Sequence, residues 1–132
     1  EFEELRREVK YGENSRVDIL LTGKDGHLTY VEVKNCHLVR QSRLYEFPDS
    51  VTARGAKHLH ELSNMVAQGH RAVLLFVIQR ADGDRLSLAK DLDPVYAQAH
   101  LEATKAGVET LCLSCIVSEN AVSPNDIVTY VG

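Results

Sequence analysis

Alternation and helical spacing divide the chain into a series of short elements. The opening F-E-E-L-R-R-E-V places Phe2, Leu5 and Val9 at helical spacing, with Gly12 ending the run, and predicts a helix. R-V-D-I-L-L-T then alternates, so Val17, Ile19 and Leu21 share one face of a strand. The turn G-K-D-G separates it from a second strand, H-L-T-Y-V-E-V-K, and a third strand is expected within His37–Phe47. A helix capped by Asp49 or Ser50 follows, with Val51, Leu59, Leu62 and Val66 as its apolar stripe and Gly69 as its stop. R-A-V-L-L-F-V-I-Q-R is apolar almost throughout, the pattern of a central strand buried on both faces. Asp93-Pro94 begins another helix, Gly107 closes it, and V-E-T-L-C-L-S-C-I-V returns as a strand. This order predicts an α/β sandwich, a central mixed β-sheet flanked by helices, with a hairpin in its first half.

Composition narrows the class without naming a function. At 132 residues, 44% hydrophobic and 26% charged, the chain suits one soluble domain, residues 1–132. No apolar run approaches the roughly 20 residues of a membrane span and no signal peptide opens the chain, so no membrane association is expected. The first residue is Glu1 rather than Met, and a fragment of a longer protein is expected. A net charge of −4 argues against a protein that coats nucleic acid, but leaves local basic patches open. Three cysteines cannot all pair within the chain, which favours a reducing, cytoplasmic setting. Cys112 and Cys115 have the C-x-x-C spacing of zinc and redox sites. On a strand, however, residues three apart face opposite sides, and zinc needs about four ligands, so packed thiols are the expectation.

The hairpin carries the chemistry. If K-D-G is a three-residue loop with Gly26 left-handed, Leu20 opposes Tyr30 and Asp18 opposes Glu32. Facing carboxylates about 5 Å apart destabilise a sheet unless something neutralises them. A divalent cation does so, and hard oxygen ligands suit Mg²⁺ or Mn²⁺. Asp18 and Glu32 would hold it, with the Val33 carbonyl as a further ligand. Lys34, on the same face as Glu32, would position the attacking water and stabilise charge at phosphorus. The competing reading is a solvated ladder of Glu32 and Lys34 on an exposed sheet face.

An Asp on one strand and E-x-K on the next resembles the PD-(D/E)xK nuclease superfamily. The surrounding text is more specific. R-E-V-K-Y-G-E-N-S-R-V-D, Y-V-E-V-K-N, F-P-D-S-V-T-A-R-G-A-K-H-L-H-E-L and G-H-R-A-V-L-L-F-V-I-Q-R look like the sugar fermentation stimulation protein A (SfsA) family. The likeness continues through D-P-V-Y-A and A-G-V-E. It implies a restriction-endonuclease-like domain, the C-terminal part of a protein that begins with an OB-like barrel. It also implies DNA as partner and an association with sugar, notably maltose, metabolism. Metal-dependent phosphodiester cleavage is the implied activity, with a non-catalytic DNA-binding regulator of the same fold as the alternative.

Position by position, the resemblance assigns the catalytic acid, glutamate and lysine to Asp18, Glu32 and Lys34, and suggests Glu8 as a further acid. Cys36-His37 depart from the small apolar residue and Thr expected there, and His37 is read as incidental. Arg54 and Lys57, at the start of a helix, suit phosphate binding, or are incidental surface charges. Arg16 would contact DNA or balance the acids, and Gln79 would reach the site from the end of the buried strand. Gly55 inside the helix implies close packing or ligand approach. A homodimer is a further possibility.

Overall fold

The N-terminal segment, whose spacing suits a helix, is a β-strand. In the computed structural model, which describes residues 2–12, 15–117 and 122–132, β1 (Phe2–Tyr11) pairs antiparallel with β2 (Ser15–Gly23), Leu5 facing Leu21 and Val9 facing Val17. Its three apolar residues are too thin a stripe to hold a helix on a core, since helices gain most of their stability from packing one face. An edge strand needs only its neighbour. Gly12, at φ +57°, ends the strand as the sequence suggests.

The hairpin forms as its loop chemistry requires. Gly26 adopts φ +85°, its N–H donates to the Gly23 carbonyl (3.0 Å), and the Gly23 N–H donates to the His27 carbonyl (2.9 Å). β3 (Leu28–Cys36) then pairs with β2 in the expected register, Leu20 opposite Tyr30 and Ile19 opposite Val31. The region of the third strand holds two, β4 (Leu38–Gln41) and β5 (Arg43–Phe47).

Helix α1 (Ala53–Ala67) is capped by Thr52, whose hydroxyl accepts from the Gly55 N–H, and not by Asp49 or Ser50. Val51 therefore precedes the helix and is exposed, outside the apolar stripe; Leu59, Leu62 and Met65 are its buried apolar residues. Gly55 is explained by packing, because a Cβ there would meet the Tyr96 ring at 2.8 Å. The apolar run forms β6 (Arg71–Ile78), β7 (Gly83–Leu88) follows, and α2 (Pro94–Ala106) starts and stops where Asp93-Pro94 and Gly107 require. Asp93 is buried and does two jobs. One carboxylate oxygen accepts from Tyr96 N (3.0 Å), capping α2, and the other from Thr52 N (2.8 Å), tying the two helix starts together. A cap of this kind contributes about 1 kcal/mol.

β8 (Glu109–Val117), β9 (Val122–Ile127) and β10 (Thr129–Tyr130) complete the chain. The main sheet is mixed and six-stranded, in the order β1-β2-β3-β6-β8-β9, with β6 parallel to both β3 and β8. A second sheet, β10-β7-β5-β4, has no counterpart in the expected architecture. Ala72, Leu74, Phe76 and Ile78 of β6 join Leu59, Leu62, Tyr45, Leu86 and Tyr96 in one core. Each fully buried leucine there contributes about 1.5–3 kcal/mol. On the opposite face, Leu5, Ile19, Leu21, Leu75 and Leu111 line an open apolar groove of about 300 Å³. Among the described residues, then, helices flank the sheet on one side. Cys36, Cys112 and Cys115 are buried, free thiols, as expected of packing residues. No helix among the described residues is long and apolar enough to cross a membrane.

Candidate active site

The ladder between β2 and β3 ends at Ile19–Val31, one residue before Asp18 and Glu32 would pair. There the Asp18 side chain replaces a strand partner: its Oδ2 accepts the Val33 N–H at 2.7 Å. That bond fixes Asp18 beside Glu32 and leaves its second oxygen outside the strand pairing. Val33 meets the site through its N–H. Across the other side of β2, Arg7 faces Ile19 and Val9 faces Val17, so Glu8 lies level with Asp18. Glu8 has φ +53°, a conformation that non-glycine residues seldom adopt.

Glu32 is the centre of the arrangement. It lies on the core face of β3 and its side chain is 5% exposed. Its Oε1 is 3.0 Å from His58 Nδ1 on α1 and 3.5 Å from Lys34 Nζ. Lys34 Nζ is also 3.4 Å from His58 Nδ1. The other oxygen, Oε2, is buried and has no hydrogen-bond partner. Burial first, then the Asp18 charge, push the Glu32 carboxyl up to about 7; Lys34 pulls the other way and Glu8 adds a further push. Burial also holds the His58 imidazole below its usual value, helped by Lys34, Arg54 and Lys57 and opposed by Asp18. A paired, desolvated lysine and glutamate rule out the solvated ladder as a description of this face.

A second polar layer supports the first. Ser15 Oγ donates to Glu61 Oε1 at 3.2 Å, and both residues are buried. A Cβ on Gly12 would overlap the Glu61 carboxylate and displace it, and the positive φ of Gly12 itself favours glycine. The Tyr11 phenol, whose oxygen is buried without a partner, is pushed up by burial and then by Glu32, Glu61 and Asp18.

Of the predicted contacts to nucleic acid, Arg54 and Lys57 are exposed on the first turns of α1, and both act electrostatically on His58. Arg16 is exposed and donates to the Glu8 carbonyl at 3.2 Å. Gln79 is the outlier. It follows Ile78, which pairs with Cys36, whereas Lys34 pairs with Phe76. That puts it three residues beyond Lys34, about 10 Å along the sheet. His37 is exposed, and its carbonyl accepts from Arg80 (3.1 Å), consistent with an incidental side chain. The sequence reading missed His58, Glu61, Ser15 and Tyr11. A helical wheel offers a signal for two of them: His58, Glu61, Leu62 and Met65 recur at the spacing of one helix face.

Residues 1–121 match the family model described as the sugar fermentation stimulation protein RE domain. The chain belongs to the SfsA family. Curated SfsA relatives include the sugar fermentation stimulation protein homolog of Rhizobium rhizogenes, 56% identical over 124 residues, covering 94% of this chain and 50% of that protein. The homolog from Maricaulis maris is 56% identical over 121 residues, covering 92% and 52%. That from Brucella ovis is 52% identical over 124 residues, covering 94% and 52%. The chain thus spans about half the length of these SfsA relatives. Among solved structures, Pyrococcus furiosus SfsA in complex with Ca²⁺ superposes with a TM-score of 0.86 at 27% identity, covering 96% of this chain and 54% of that one.

The donor set can be tested against a cation directly. Among the described residues no three His, Cys, Asp or Glu side chains converge as a metal-binding group. A protein-only cage, of the kind zinc uses, is therefore not formed by them. Magnesium, in contrast, commonly takes one or two carboxylates and keeps several waters. Asp18 and the orphaned Glu32 Oε2 fit that demand. A cavity of about 440 Å³ lined by Leu88, Ala97, His100 and Tyr130 includes none of these residues.

Proposed function

We propose that this SfsA chain is a nuclease-like, DNA-binding domain of the restriction-endonuclease-like, PD-(D/E)xK type. Asp18 and Glu32 would hold Mg²⁺ or Mn²⁺, and the reaction would be hydrolysis of a DNA phosphodiester. One observation carries the proposal: a buried carboxylate, under the charge of Asp18, with one oxygen paired and the other without a partner. An unpaired buried acceptor is costly, and a cation relieves that cost. Pyrococcus furiosus SfsA, solved as a complex with Ca²⁺, supports the same reading.

When bound, the divalent ion supplies Lewis-acid polarisation of the phosphoryl group and a more acidic water. The chain's own residues do the rest. Lys34, 18% exposed and held at Glu32, presents a positive charge where negative charge develops at phosphorus. Arg54 and Lys57, at the positive end of α1, would hold flanking phosphates, with Arg16 beside the acids. The Val33 carbonyl is proposed as an additional ligand and Gln79 as a more distant contact with the nucleic acid. A cytoplasmic role in sugar metabolism, and a homodimer, belong to the same proposal for the whole protein.

The test uses the purified chain with supercoiled, linear duplex and single-stranded DNA. Cleavage is expected with Mg²⁺ or Mn²⁺ and none with EDTA. Intact DNA in every form, together with salt-dependent DNA binding, would replace the enzyme by a DNA-binding regulator.

A further inference from the structure

We infer that His58 is the positioning residue that aims Glu32 at the cation, an inference that rests on the reading of Asp18 and Glu32 as a divalent-ion site. Two side chains meet one oxygen of that carboxylate. His58 Nδ1 is 3.0 Å from Glu32 Oε1, Lys34 Nζ is 3.5 Å from the same oxygen, and Oε2 is left without a partner. A glutamate held by one oxygen presents the other in a fixed direction. Free to rotate, it would spread both oxygens over many directions and lose affinity for an ion that demands near-ideal octahedral geometry.

The ring's proton arrangement follows from its neighbours. Ionised, Glu32 Oε1 can only accept, so Nδ1 must carry the hydrogen, and it cannot then accept from Lys34. Lys34 accordingly donates to Oε1 as well, and the imidazole donates to it through Nδ1. Through Nδ1, His58 acts on the oxygen that is already paired and leaves Oε2 without a partner. Its place is secured by the helix: Leu59, Leu62 and Met65 bury the adjoining face of α1. Partners of this outer kind typically set metal affinity by roughly 10–100-fold.

The experiment is calorimetric titration of the chain with Mn²⁺ alone, with no DNA present. Wild type is expected to bind, and Asp18→Asn to lose binding. His58→Ala should weaken Mn²⁺ affinity roughly 10–100-fold. His58→Asn, whose amide N–H falls near the Nδ1 position, should stay within about threefold of wild type. His58→Gln, with similar bulk but its donor near Nε2, should behave like His58→Ala, which covers the case of an alanine variant that does not fold. If His58→Ala and His58→Gln both match wild type while Asp18→Asn fails, His58 has no positioning role and the metal site stands. Equal losses in His58→Asn and His58→Gln would also overturn the Nδ1–H assignment. If wild type itself binds no Mn²⁺, the metal-site reading fails first.

Discussion

Replacing Lys34 with methionine is expected to lower Mg²⁺-dependent DNA cleavage by roughly 100- to 1,000-fold. The methionine keeps the apolar stem of the side chain and removes its charge, so the fold should survive. Glu32 would still be held by His58 at 3.0 Å. Mn²⁺ affinity should therefore change by less than about tenfold, far less than the rate. That split separates Lys34 from the acids, where Asp18→Asn should remove binding and rate together. Cleavage by Lys34→Met at the wild-type rate would show that the lysine plays no part in the chemistry. Parallel loss of rate and affinity would instead make it a structural support for Glu32.

The second large effect is on stability and has a definite sign. Burial and the Asp18 charge raise the folded Glu32 carboxyl to about 7, above the unfolded value of 4.5. Between these two values the folded state holds more protons than the unfolded one, so stability falls as pH rises. In EDTA, the wild-type chain should lose about 3 kcal/mol from this group between roughly pH 4.5 and pH 8. Glu32→Gln removes the ionisation, and its urea-unfolding free energy should lack that component. At about pH 8 the variant should be the more stable protein, and at about pH 4.5 the two should be similar. Mn²⁺ should recover the loss in wild type and leave Glu32→Gln unchanged. A stability that rises for wild type across this range, relative to Glu32→Gln, would mean that Glu32 is well stabilised as an anion without metal.

The hairpin was legible because two local rules agree on it. Loop chemistry fixes Gly26 at positive φ, and alternation then decides which residues of β2 and β3 share a face. Those rules put Glu32 and Lys34 on one face of β3 and Asp18 one residue past the end of the β2–β3 ladder. The helix boundaries at Asp93-Pro94 and Gly107 were legible for the same reason, since cap residues act within one turn.

What was lost depended on distant partners. Phe2, Leu5 and Val9 fit a helix by spacing, and only the β2 ladder makes them a strand. β7 hides its two buried leucines, Leu86 and Leu88, among polar neighbours, and it forms by pairing with β5 and β10. Thr52 became the α1 cap where Asp49 and Ser50 offered equally good side chains, and its N–H is held by Asp93, 41 residues away. His58 was passed over because its meaning lies in Glu32 and Lys34, the latter 24 residues earlier. The loss of strand pairing at Asp18, which frees its carboxylate for Val33, is also invisible without the third dimension.

The proposed hydrolysis depends on Asp18 and Glu32 holding a divalent cation. Anomalous diffraction from crystals of the chain grown or soaked with Mn²⁺ reads that directly. An anomalous peak is expected about 2.1 Å from an Asp18 oxygen and from Glu32 Oε2, with Oε1 still facing His58. An occupied manganese site elsewhere, with Glu32 Oε2 unpartnered and the two carboxylates bridged by nothing, would contradict it.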